Sequence, residues 1–171
     1  MRPLKLLVIA LAFGAGPARA EPLEPPTVRT TIQVERTEDG SCSEVHAGKA
    51  GGPAPLAMTD ICHGWSSATC ADKLLVVGAG VTEDQAQVLF TGENRVTDVV
   101  ALVDAAVGAR WPRHEHLHLS FGAPRCVDGA MVLPVSGSHL LADSTGSASG
   151  FSGELRIAGP DDHSVRLEAE R

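Results

Sequence analysis

From Val28 to Arg36 the chain alternates. Val28, Thr30, Ile32 and Val34 fall on one face, and Arg29, Thr31, Gln33 and Glu35 on the other. That is the period-two pattern of a half-buried strand. Glu38 to Ser41 (EDGS) and the Gly/Ala/Pro-rich Gly48 to Pro55 predict loops. Leu56 to Cys70 keeps no single period and is compatible with a short helix held by disulfides. Lys73 to Val77 (KLLVV) reads as a buried strand. Thr82 followed by Gln85 forms a capping box, which predicts a helix from Thr82 to about Phe90, stopped by Gly92. Val96, Val99, Val100, Val103, Ala106 and Val107 then recur at helical spacing and predict a second helix, closed by Gly108 and Pro112. After it the period returns to two: His114, His116, His118 and Ser120 alternate with Glu115, Leu117, Leu119 and Phe121. Met131 to Val135 predicts another strand, and residues 122–130 a turn back onto the preceding one. Ser136 to Gly153 is rich in Ser, Gly and Ala and reads as a long irregular connection. Glu154 to Ala158 and Ser164 to Ala169 bracket Gly159-Pro160-Asp161-Asp162, the signature of a closing hairpin. The sum is an α+β domain, a mainly antiparallel sheet of about six strands with two central helices. No internal repeat is visible.

The N-terminus obeys a different pattern. A short basic stretch, Met1 to Lys5, precedes the apolar Leu6 to Phe13, which is shorter than the roughly 20 residues a membrane-spanning helix needs. Ala18-Arg19-Ala20 places small residues where a signal peptidase reads them. Residues 1–20 are therefore expected to be a secretory signal peptide, 21–27 a Pro-rich leader and 28–171 a single domain, located in the periplasm or outside the cell. No second long apolar run follows, so no membrane span is expected after cleavage.

Cleavage changes the charge. The full chain carries a net charge of −7; losing Arg2, Lys5 and Arg19 deepens it to −10. Such a surface repels phosphate, which argues against nucleic acid and against anionic lipid. The chain has no Tyr and only three Lys among its 14 basic residues, a codon skew that fits a GC-rich bacterial genome. Few aromatics remain to stack on sugars or bases.

All four cysteines, Cys42, Cys62, Cys70 and Cys126, lie beyond the signal. An even count in an exported domain implies two disulfides, with three possible pairings. Proximity in sequence favours Cys62–Cys70 with Cys42–Cys126.

The segment His114-Glu115-His116-Leu117-His118 is the strongest candidate for chemistry. As a helix it resembles the zincin metallopeptidases through H-E-x-x-H. That resemblance implies His114 and His118 as zinc ligands and Glu115 as general base. It covers these five residues alone and lacks the longer metzincin pattern. As a strand, the same segment places His114, His116 and His118 on one face as candidate ligands for zinc or copper, with Glu115 turned away. Continued alternation through Phe121, and breakers at Pro112, Gly122 and Pro124, favour the strand. Gly78-Ala79-Gly80 opens like a dinucleotide-binding loop, but Glu83 occupies the third glycine position and Asp84 follows it, which would repel a pyrophosphate.

The expected function is thus an exported binding or accessory domain, with a His-rich strand as a divalent-metal site. The alternatives are a small zinc metallopeptidase and a structural or protein-interaction component of the cell envelope, partnered by another envelope or secreted protein.

Overall fold

The structure is a computed structural model that describes residues 29–81, 83–141 and 148–170. The expected signal peptide (1–20), the expected Pro-rich leader (21–27) and Thr82 lie outside the described residues.

Eleven strands and one helix are present among the described residues. Strands β1 (Thr30–Arg36), β2 (Ser43–Lys49), β3 (Leu56–Cys70), β4 (Lys73–Gly80), β5 (Asp84–Phe90) and β6 (Arg95–Asp98) form one antiparallel sheet in sequence order. Helix α1 (Val99–Arg110) follows. A second sheet holds β7 (His114–Phe121), β9 (Ala130–Leu141), β10 (Ser149–Ile157) and β11 (His163–Ala169) in the order β11-β10-β9-β7. The short β8 (Arg125–Val127) also pairs with β9.

The expected α+β domain with two central helices is therefore overturned: the architecture is mostly β, with two sheets and one helix. The first expected helix is β5. Its residues Ala86, Val88 and Phe90 are buried in the core that the sheets share, while Leu89 points to the opposite face. A two-residue period and pairing with β4 along 73–79 outweigh the local capping box. The second expected helix exists but starts later. Asp98 caps it, accepting from the N–H groups of Val100 and Ala101. Leu56–Cys70, compatible with a helix from sequence, is the longest strand.

Two cores explain the burial. Leu75, Ala86, Val88 and Phe90 of the first sheet meet Val99, Val103 and Val107 of α1 and Leu133, Val135, Phe151, Leu155 and Ile157 of the second sheet. On its other face the first sheet buries Val45, Ala47, Leu56, Met58, Ile61, Leu74, Val76 and Leu89 against one another. It can do so because it curls. Pairing of β3 shifts register between Ile61 and Trp65, with Asp60 and Gly64 at positive φ. The first half of β3 then reaches β5, where Gln85 and Gln87 donate to the carbonyls of Thr59 and Ala57. β4 contributes to both cores, which is why its sequence is a continuous apolar run.

The disulfides are Cys42–Cys62 and Cys70–Cys126. The pairing expected from proximity is overturned. Cys70 closes the tight turn at Ala71-Asp72, and its neighbour in space is β8 of the other sheet rather than Cys62. Cys70–Cys126 thus staples the two sheets. Beside it, the buried Lys73 bonds Asp72 at 2.8 Å and the carbonyl of Gly129 at 3.0 Å, tying β4 to the β8–β9 turn. Two disulfides fit an oxidising, non-cytoplasmic environment. No helix among the described residues is long and apolar enough to cross a membrane.

Candidate functional site

Residues 114–118 lie in β7, so the helical geometry of the zincin resemblance is absent and His114 and His118 are not one helical turn apart. The strand is also not regular. His114 and Glu115 pair with Leu141 and Leu140, whereas His118 pairs with Ser138, so His116 and Leu117 together oppose His139. This is a β-bulge, and His116 sits in it at φ 48°.

The bulge reverses the alternation. After it, Leu117, Leu119 and Phe121 pack toward the core, so His118 and Ser120 point outward. Before it, His114 is already on the core side, its ring 6.5 Å from that of the buried His139. The three histidines that a regular strand would align are therefore split between faces. Among the described residues no group of three His, Cys, Asp or Glu side chains is placed to hold a metal ion.

Two other arrangements occupy this corner instead. The first is a ring cluster. The His114 ring is held at Nδ1 by the Trp111 carbonyl, 3.2 Å away, and at Nε2 by Asp104 Oδ1, 3.0 Å away. Both partners accept, so only the doubly protonated ring makes both bonds in full. Gly108 on α1 leaves room for the ring, since a Cβ there would stand 3.3 Å from His114 Cε1. Behind it His139 is 1% exposed, and neither of its ring nitrogens has a hydrogen-bond partner among the described residues. It rests against Trp111, with centroids 4.6 Å apart, and near Phe151 at 6.1 Å. Burial, together with the neighbouring His114, lowers its pKa below the ordinary imidazole value.

The second arrangement is a groove of about 470 Å³ between the start of β5, the first turns of α1 and β7. Leu117, Leu119, Val100 and Ala101 give it apolar surface; Glu83, Asp84, Asp98 and Asp104 give it four carboxylates; His116 also lines it. Two of the carboxylates have structural tasks, Asp98 as the helix cap and Asp104 as the partner of His114.

Sequence reasoning placed the histidines of β7 correctly on a strand but could not see the bulge. Ser136 to Gly153 reads from sequence as a long irregular connection, whereas β9 extends to Leu141 and carries His139. Glu83 and Asp84 were visible as carboxylates that exclude a pyrophosphate, at the start of a helix that does not form, but not as part of a groove with α1 and β7.

No protein-family model matches the chain, and comparison with curated proteins and with solved structures likewise finds no match.

Proposed function

We propose that this chain is an exported binding or accessory domain whose ligand surface is the groove between α1, β5 and β7, and that the ligand is cationic with an apolar portion. The observation that carries the reading is the groove itself, lined by four carboxylates together with the apolar Leu117, Leu119, Val100 and Ala101. Carboxylates crowded along one cleft focus a negative potential, which raises the local concentration of cations. The net charge of the chain, −7, has the same sign. Export is supported by the signal-like first twenty residues and by the two disulfides. The zincin alternative loses its support, because a metallopeptidase of that type needs 114–118 as a helix.

The test is calorimetric titration of the disulfide-intact protein with a short Lys/Leu peptide and with spermidine, at low and high salt. Glu83→Gln with Asp84→Asn removes the two carboxylates that neither cap α1 nor hold His114. Peptide affinity should fall in this variant and with added salt, and should exceed that for spermidine, which lacks the apolar portion. Equal affinity in the wild type and the double variant would sink the groove. Failure of the wild type to bind either probe would leave a structural role in the envelope as the better reading.

A further inference from the structure

The orphaned imidazole of His139 calls for a physical reason. A neutral imidazole always carries one N–H, and burying a polar group without a partner costs roughly 1–3 kcal/mol. A side chain of similar size without that polar group would fill the same space. The surroundings are specific: Trp111 against one face, Phe151 on the core side, and the His114 ring edge-on at 81°. Trp111 and His114 lie at the two ends of the turn that leads from α1 into β7, and His139 is the residue that β7 bulges over.

We propose that His139 is an acid-operated latch: neutral, it seats Trp111 and the C-terminal turn of α1 on the second sheet, and protonated, it releases them.

The charged groups around the ring give this direction. On α1, Asp104 is committed to His114, and the Arg110 guanidinium lies over the Trp111 ring at 5.3 Å. On β7, Glu115 and His116 are exposed. On β10, Ser149 and Phe151 share the face of His139. On β11, Glu168 pairs with Ser152 and the Glu170 carboxylate lies over Gly150, so both belong to the opposite face of the sheet. Among the described residues, then, no carboxylate bonds the His139 ring, and the nearest titratable neighbour, His114, becomes a like charge when protonated. A proton on His139 is accommodated best by moving the ring into water. The segment that must yield is the one covering it, Trp111 to Leu117, which already holds His116 at positive φ.

The closed state disfavours the proton, so the open fraction rises by up to tenfold for each pH unit below the open-state value, until the closed-state value is reached. Amide hydrogen exchange of the intact, disulfide-bonded protein, corrected for intrinsic pH effects, reads it. The amides of the last turn of α1 and of 114–117 should exchange faster at pH 5 than at pH 7, while those of β4 and β10 do not. An NMR titration of the His139 ring in the same sample should share its midpoint with the shifts of those amides. In His139→Phe the acceleration should vanish.

Three outcomes would overturn the latch. One is corrected exchange that is equal at the two pH values. Another is a His139 ring that titrates while the α1 amides stay still. The third is acceleration that survives in His139→Phe but disappears in His114→Phe. Should His139→Phe fail to fold, His139→Leu and the wild-type titration still decide.

Discussion

The Trp111 indole lies against the His139 imidazole, their ring centroids 4.6 Å apart and their planes inclined at 33°. One ring comes from the end of α1 and the other from near the C-terminal end of β9, so the contact joins the helix to the second sheet. Its polar member has no hydrogen-bond partner among the described residues. The stability of the corner therefore rests on a ring that must stay uncharged.

That requirement sets a pH dependence for the whole fold. His139 has a folded-state pKa below the ordinary value of 6.5, because burial and then His114 disfavour its charged form. The unfolded chain binds the proton first as pH falls. The stability from this group is therefore present above pH 6.5 and is lost as pH drops through the folded-state value. Urea denaturation should give a lower midpoint at pH 5 than at pH 7.5. His139→Leu should shrink that difference, and an unchanged difference would place the dependence on other groups.

The disulfide that joins the sheets should matter more than the local one. Cys70–Cys126 closes a separation of 56 residues and Cys42–Cys62 one of 20. Cys70→Ser with Cys126→Ser should cost about 2–4 kcal/mol. Cys42→Ser with Cys62→Ser should cost somewhat less. Non-reducing peptide mapping should recover these two pairs and no Cys62–Cys70 species.

Gly137 of β9 lies between Leu119 of β7 and Phe151 of β10. A Cβ there would run into the carbonyl oxygen of His118 and stand 2.8 Å from Phe151 Cζ. Backbone cannot yield as a flexible side chain can. Gly137→Ala should therefore destabilise by about 1–3 kcal/mol, read as a lower Tm. A Tm equal to that of the wild type would mean that β9 shifts freely against β7.

Zinc and copper offer a check on the bulge. A regular strand would aim His114, His116 and His118 at one ion; the bulge separates them. Titration with either metal should therefore give no difference between the wild type and His116→Ala. A weakening of tenfold or more in the variant would mean that β7 regains a regular register in solution.

The parts of this fold that were legible are those whose signal is local. β1 alternates cleanly. Val99, Val103 and Val107 make a helical stripe, and the Gly159–Asp162 turn separates β10 from β11. Residues 122–130 were legible as a turn, but not the short β8 inside it, which Asp128-Gly129 at positive φ returns onto β9. The failures are equally specific. Thr82 and Gln85 offer a capping box, yet the pairing of Asp84–Phe90 with β4 makes that segment a strand. Leu56–Cys70 changes face at its bulge, so no single period survives along it. The candidate site was half visible. The histidines of β7 were found, but their phase depends on one extra residue opposite His139, and a bulge leaves no mark in an alternating sequence. His139 itself acquires meaning only from Trp111 and His114, which lie more than twenty residues away along the chain.

The two disulfides have a consequence for how the molecule is made. Each cysteine is joined to the one adjacent to it in chain order, Cys42 to Cys62 and Cys70 to Cys126. The two closed loops neither nest nor cross. A chain delivered N-terminus first into an oxidising compartment would present Cys62 as the first available partner for Cys42, and Cys126 as the only one remaining for Cys70. Pairing in order of arrival is then already native pairing, and maturation needs an oxidant but no reshuffling.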